Sequence, residues 1–465
     1  MKWDEFAHWG RHISDWAQTY HEGLRDQSVR AQTRYGEIAG QLPLAPPERP
    51  EAMEQIFGDF EQIIMPGMTH WQHPRFFAYF PANAAPPSML AEFLVTTLAA
   101  QCMLWQTSPA ATELETRMID WLRQAIGLPD AFTGVIQDSA SSATLAAVLV
   151  MRERSTNWQG NEAGLNGQGR MRIYTSSEVH SSVDRAVWVA GIGRDNLVRI
   201  PTQGPTRSMD ATALATAVKA DRDAGYLPTG IVACTGGTGT GACDDIAAVV
   251  ALAQAEGLYC HVDAAWAGAG MICPEFRALW TGIEGADSVV FNPHKWLGAQ
   301  FDCSAHFIRN PDALRRTLAM RADYLTTPGE QDVIDYSEWS IPLGRRFRAL
   351  KLWFLIRSYG LEGLRTRLRN HVKWAEALAD RLAALARFEI VTAPVLSLFT
   401  FRLVGADDAT QLAFVDRVNA DGRIYITQTR VESGMIIRFQ IGQFDCTQDD
   451  IDVAFEVLKE LAERH

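Results

Sequence analysis

Leu258-Tyr259-Cys260-His261-Val262-Asp263-Ala264-Ala265-Trp266 and, further along, Asp287-Ser288-Val289-Val290-Phe291-Asn292-Pro293-His294-Lys295-Trp296 decide how this chain is read. Each begins with a short apolar run rich in β-branched and aromatic residues, the pattern of a buried strand. The first run holds a carboxylate, Asp263, and the second ends on an amine, Lys295. Burying an ammonium is costly, so a lysine so placed is paired or shifted toward the neutral amine that attacks carbonyls. By itself Lys295 also reads as a strand-end lysine that reaches out to water.

Outward from these runs, strand and helix patterns alternate from about residue 80 to 350. Gly134–Gln137 leads into a helix over 140–154, Arg172–Thr175 into one over 181–191, and Gly230–Ala233 into one over 245–256. Strands over 258–263 and 288–291 follow. The alternation predicts an α/β fold: a mostly parallel sheet with helices on both faces and ligands at the carboxyl ends of its strands. Residues 1–40 read as helical, with Phe6, Trp9, Ile13, Trp16, Tyr20 and Leu24 on one stripe. A linker with four prolines, Leu42–Pro50, comes next. Beyond 351 the pattern is that of a smaller α/β domain, with strands at Leu398–Leu403 and Met435–Phe439. The expected division is a helical segment 1–80, a large domain 81–350 and a small domain 351–465.

The 465 residues are 47% hydrophobic and 21% charged, an ordinary globular balance. A net charge of −12 argues against a nucleic-acid or anionic-membrane partner. Met1–Glu5 opens no signal peptide, and the apolar stretch Leu90–Trp105 is interrupted by Glu92 and Gln101 and is too short to span a bilayer. Seven cysteines without a CxxC pair fit free thiols in a reducing cytosol, so a cytoplasmic enzyme is expected.

A lysine and a buried aspartate at neighbouring strand ends suit pyridoxal 5′-phosphate, which needs an amine for its aldehyde and a carboxylate for its ring nitrogen. The segments HVDAAWAG (261–268) and NPHKW (292–296) resemble those of the group II pyridoxal-phosphate decarboxylases, and most of all the aromatic L-amino-acid decarboxylases. The resemblance covers nearly the whole chain. It implies the aspartate-aminotransferase-like fold type I, pyridoxal phosphate as cofactor, and a homodimer with shared active sites whose N-terminal segment packs across the partner.

The resemblance also assigns residues. Lys295 carries the cofactor, Asp263 pairs with the protonated ring nitrogen, and Ala265 lies against the ring. Gln137–Thr144 is similar to the family's GSASEAT phosphate loop, with Ala140 and Ser141 as helix-start donors and Asn292 and His294 completing the site. Helix capping alone would also explain its serines. Asp138 stands where the family has glycine and Ser142 where it has glutamate, so the Asp138 side chain is expected to point away. His180 matches a histidine that stacks on the ring and contacts the substrate carboxylate; insect members that form aldehydes carry asparagine there. Thr238, in Thr235–Thr240, matches a cofactor-proximal threonine, although the residues alone also allow a mobile loop.

For substrate, His70–Ala82 resembles the HPxFFAYFP segment, which places Trp71, Tyr79, Phe80 and Pro81 on an aromatic wall. Ala82 replaces a threonine of animal enzymes. Met103 replaces a phenylalanine that reaches into the partner's pocket, which broadens or shifts specificity. Glycine at the Gly344 position accompanies indolic substrates in plant members. Loss of CO2 leaves a carbanion to be protonated, and the family's donor is a tyrosine on a lid from the neighbouring subunit. Tyr336 takes that role here. It ends the polar stretch Thr326–Tyr336 and precedes Trp339–Arg348, which resembles WQIPLGRRFR.

A zinc hydrolase built on His70, His73 and His261 lacks an HExxH motif. A catalytically inert binding module is at odds with Lys295, Asp263, His180 and Tyr336 together. An aldehyde synthase, or a decarboxylase of glutamate or histidine, is a closer rival; glutamate calls for a basic pocket, whereas 71–81 offers rings. The expected reaction is decarboxylation of aromatic L-amino acids to amines.

Overall fold

The computed structural model describes residues 1–320 and 333–463. Two compact units are distinguishable, one made of Ala82–Glu376 with Thr392–Phe399, the other of Met1–Pro81 with Ala377–Val391 and Thr400–His465. The cut after Pro81 lies one residue from the first boundary read from sequence, while the second falls elsewhere than 350 and the end segments share one unit. The helical stretch Ala349–Ala383 carries the chain across residue 350 without a break at that point, interrupted only at Gly360, so the change of unit falls at 376 and 377.

The first unit is organised by a seven-stranded sheet in the order β1 (Thr133–Gln137), β9 (Ser304–Ile308), β8 (Ser288–Phe291), β7 (Tyr259–Asp263), β6 (Leu227–Cys234), β2 (Met171–Ser176), β3 (Leu197–Ile200). The pairs β8/β7, β7/β6, β6/β2 and β2/β3 are parallel, while β9 is antiparallel to both its neighbours. Strands β7 and β8 are buried at every position, which is why they read as continuous apolar runs rather than alternating ones. Besides Asp263, the polar residues His261 and Ser288 are buried here and paired, His261 Nδ1 lying 2.7 Å from Ser288 Oγ and Nε2 3.4 Å from Thr144 Oγ1. A small hairpin, β4 (Thr202–Gln203) with β5 (Ser208–Met209), lies outside this sheet.

The helices begin close to where their caps direct. Ser139 Oγ accepts from Ser142 N at the start of Ala140–Ser155, and Asp245 caps Ile246–Glu256. The second sheet has the order β10 (Phe388–Val395), β11 (Leu398–Leu403), β13 (Gly434–Gln440), β12 (Thr427–Val431). At the N-terminus the helix is shorter than the 1–40 expected. It covers Trp3–Glu22 and ends at Gly23, where the apolar stripe runs out into Asp26-Gln27-Ser28. Part of the stripe is covered within its own unit, because Trp9 and Trp16 pack on Phe57 of the helix Met53–Asp59. Trp3, Phe6 and Ile13 stay exposed. No helix among the described residues is long and apolar enough to cross a membrane.

Candidate active site

The pairings make β1, β2, β6, β7 and β8 run the same way, so all five carboxyl ends meet on one edge of the sheet. At that edge β8 delivers Asn292 and the turn Pro293–Leu297, which contains Lys295. The lysine is half-buried, less enclosed than its strand suggested. Its turn is firmly held: Lys295 N donates to Asn292 O (2.9 Å), and Asn83 Nδ2 donates to Lys295 O (2.6 Å). Asn83 N also donates to His294 O (3.0 Å).

The adjacent strand end carries Asp263, which is buried and accepts from Ala265 N at 2.9 Å. Across β6, Thr235 N donates to Asp263 O (3.0 Å) and opens the Thr238 turn. That turn is built on close approach. A β-carbon on Gly236 would stand 2.5 Å from Ala267 Cβ, and one on Gly237 would stand 2.8 Å from Glu178 O. Gly236 N and Gly237 N both donate to Ala242 O, and Thr240 Oγ1 donates to Glu178 Oε2 at 2.8 Å. Thr238 is thus half-buried on a bonded turn rather than on a free loop.

His180 follows β2 and remains exposed, with Nδ1 accepting from Ser182 N at 3.1 Å. That bond leaves the proton of a neutral ring on Nε2. Desolvation lowers its pKa below the usual imidazole range; Asp263 opposes this and Lys295 adds to it. Those two charges reach the ring because the three side chains share one neighbourhood.

Groups suited to an anion complete the edge. The first N–H groups of a helix lack intrahelical acceptors; Ser139 takes that of Ser142, which leaves those of Ala140 and Ser141 for an outside acceptor. Ala140 and Ala143 cluster with Val290, and Ala265 packs on them, so the start of this helix sits over the ends of β7 and β8. Asn292 Oδ1 accepts from Ser304 Oγ (2.7 Å), and His294 Nδ1 accepts from Cys303 N (2.8 Å). Burial, then the charges of Lys295 and Lys351, hold His294 near pKa about 3, so its ring is neutral. Asp138 is half-buried and close enough to Arg348 to raise that residue's pKa, behind larger effects of burial and Asp302. These residues fit pyridoxal phosphate: an amine, a carboxylate at the next strand end, a flat alanine surface, and free N–H donors at a helix start.

The segment read as substrate-binding falls on both units. In one, Trp71 stacks on Tyr79 (6.0 Å, 21°), Pro81 is buried, and Phe80 lies under the guanidinium of the buried Arg438 at 4.6 Å. In the other, Ala82 and Met103 are half-buried, and Ser337 N donates to Met103 O at 2.9 Å. Gly344 is exposed there, and a β-carbon on it would stand 3.2 Å from Gln101 Nε2.

Tyr336 is not on a lid. It begins the short turn Tyr336–Trp339, is 2% exposed and belongs to a large hydrophobic core cluster. Its hydroxyl lies 2.9 Å from Thr116 Oγ1, whose own proton goes to Thr112 O at 3.0 Å, so the phenol donates to Thr116. Arg345 stacks over the ring at 5.1 Å, and burial pushes the phenol pKa well up. A proton spent on Thr116 inside a packed core is not available to a carbanion. The stretch Thr326–Asp332, the rest of the expected lid, lies outside the described residues.

Sequence reasoning passed over Asn83, Cys303, Ser304 and Arg438. The first three act through backbone groups or through another residue's side chain, and none stands in a motif that would mark it.

Comparison with known proteins agrees with this geometry. Residues 36–404 match the family model described as the pyridoxal-dependent decarboxylase conserved domain. The chain is 37% identical over 474 residues to aromatic-L-amino-acid decarboxylase of Rattus norvegicus, covering 98% of this chain and 97% of that protein. It is 35% identical over 477 residues to phenylacetaldehyde synthase of Arabidopsis thaliana, covering 99% and 96%. The crystal structure of Oryza sativa TDC with PLP and tryptamine superposes with a TM-score of 0.96 at 29% identity, covering 100% of this chain and 99% of that one. This chain therefore belongs to the pyridoxal-dependent decarboxylases, and within them to the aromatic amino acid decarboxylase family of carboxy-lyases.

Proposed function

We propose that the protein converts aromatic L-amino acids of the tryptophan, dopa, tyrosine and phenylalanine type to the corresponding amines and CO2. The observation that carries this reading is the stacked wall of Trp71 and Tyr79 in a segment that offers rings rather than cations. Tryptamine in the rice structure and glycine at position 344 favour acceptance of an indole. Pyridoxal phosphate, when bound, supplies an aldehyde for amine capture and a ring that accepts the electrons left when CO2 departs. Lys295 would hold it through its amine, Asp263 through its ring nitrogen, and Ala140, Ser141, Asn292 and His294 through its phosphate. Ala265 and Thr238 would bound the ring. His180, neutral and carrying its proton on Nε2, would face the ring and donate to the substrate carboxylate. Phe80 and Pro81 in one unit, and Ala82 and Met103 in the other, would be further substrate contacts by the resemblance of their segments.

Protonation of the carbanion falls to a donor other than Tyr336. Between residues 319 and 336 the sequence offers one further tyrosine, Tyr324, which lies outside the described residues.

A homodimer with shared sites belongs to the same reading, supported by Leu90, Phe93, Leu94 and Leu98 exposed along one side of the helix Pro86–Leu98. A cytoplasmic location is supported by seven free, buried cysteines. The deciding experiment offers tryptophan, dopa, tyrosine, phenylalanine, histidine and glutamate to the cofactor-loaded protein and follows CO2, amine, aldehyde and peroxide together. Amine matching CO2 on an aromatic acid is the expected result. Aldehyde with peroxide would assign the protein to the aldehyde-forming branch, and turnover of glutamate or histidine alone would overturn the aromatic assignment.

A further inference from the structure

Tyr425 stands in none of the motifs discussed so far, yet it closes the aromatic wall. Its backbone runs beside 75–77: Tyr425 N donates to Arg75 O (3.2 Å), Phe77 N donates to Tyr425 O (2.9 Å), and Phe76 pairs with Tyr425 in a parallel bridge. This register sets the Tyr425 ring edge-on to Phe76 (5.3 Å, 85°) and to Tyr79 (6.1 Å, 68°). Trp71 tilts onto Phe76 (4.5 Å, 32°) and stacks on Tyr79, so the four rings form a closed circuit.

Tyr79 needs such support. Its φ of 48° lies in the left-handed region, which is unfavourable for a tyrosine, and its side chain is 47% exposed. Burial therefore does not fix its orientation. Burial, then the neighbouring Tyr79 phenol, pushes the Tyr425 phenol up to about 12.

We propose that Tyr425 is a specificity-determining positioning residue, whose ring edge holds Tyr79 in the orientation that receives the substrate's aromatic side chain. The proposal rests on the assignment of Trp71–Pro81 to substrate contact. A misplaced Tyr79 weakens ground-state and transition-state binding alike, so the loss falls on KM rather than on kcat.

Tyr425→Phe keeps the ring edge and is expected to leave both KM and kcat within about twofold of the parent. Tyr425→Leu, which removes the edge contacts to Phe76 and Tyr79, is expected to raise KM for the aromatic amino acids about 5-fold, with kcat within about twofold. An unchanged KM in Tyr425→Leu, or a fall in kcat alone, overturns the proposal. A second readout does not depend on turnover. In protein labelled with 3-fluorotyrosine, the fluorine resonance that disappears in Tyr79→Phe is assigned to Tyr79, and it should move in Tyr425→Leu. A resonance that stays in place overturns the proposal as well. If the parent protein turns over no aromatic acid, the functional reading and the specificity claim fall together, while the fluorine shift still decides whether Tyr425 holds Tyr79.

Discussion

The Lys295 turn and the Tyr336 turn were both marked in the sequence as bearers of chemistry, and the fold treats them in opposite ways. At Lys295 the backbone is tied down by Asn83 and Asn292 while the side chain, half-buried, faces an edge shared with Asp263 and His180. At Tyr336 the side chain itself is tied down, with its proton given to Thr116 and its ring covered by Arg345. One turn holds its backbone and directs its side chain to the shared edge; the other holds the side chain itself inside the core.

The comparison can be broken most directly at the lysine. Lys295→Ala is expected to abolish the visible absorbance of the loaded cofactor and to lower amine formation by on the order of 10⁴-fold or more, measured by spectrum and product assay. Substantial residual turnover would mean that the amine is elsewhere.

On the other side, the Tyr336 region should answer as structure. Arg345 and Glu115 form an ion pair with both side chains 3% exposed, and Glu115 also accepts from Ile136 N at 2.8 Å. Glu115→Gln leaves a buried guanidinium uncompensated and should cost about 3–5 kcal/mol in denaturant unfolding.

Acid sensitivity separates the regions again. His294 is held near about 3 in the folded protein, below the roughly 6.5 of an unfolded chain. As pH falls below about 6.5 the unfolded state takes a proton that the folded state refuses until about 3, so stability is full above that window and is lost through it. The slope for one histidine is at most about 1.4 kcal/mol per pH unit, and His294→Gln should flatten the stability profile between those limits.

The smallest effect is expected at Tyr336→Phe: about 1 kcal/mol of stability for the lost bond to Thr116, with amine and aldehyde yields unchanged. A diversion to aldehyde in this variant would return Tyr336 to the chemistry. Tyr324→Phe, made alongside, asks the same question of the other tyrosine in the stretch.

What could be read in advance follows the physics of each element. Strands β7 and β8 were legible because a strand buried on both faces has to be apolar throughout, so an Asp263 or a Lys295 at its end stands out. Helix starts were legible through their serine and aspartate caps. Tyr336 was misplaced because turn formers upstream and a matching segment downstream locate it along the chain without saying which way its ring points. Ile334, Tyr336 and Trp339 are in fact spaced to face one core. Asn83 and Tyr425 were invisible because they act across long stretches of chain, and Ser304 because it acts through another residue's side chain; backbone partners, hydroxyls and ring edges of this kind could come from any of several residue types.

The antiparallel β9 has a consequence for how the protein is made. Because β8 and β9 are sequential neighbours in the sheet, the segment 292–303 is a short local closure, and Cys303 and Ser304 come back to meet His294 and Asn292 with little loop entropy to overcome. Asp263 and His180 reach the same edge only through helical crossovers, the slow kind of contact. The part of the lysine's cradle built from Asn292, His294, Cys303 and Ser304 is thus what a refolding chain can assemble first, before Asn83 closes on it.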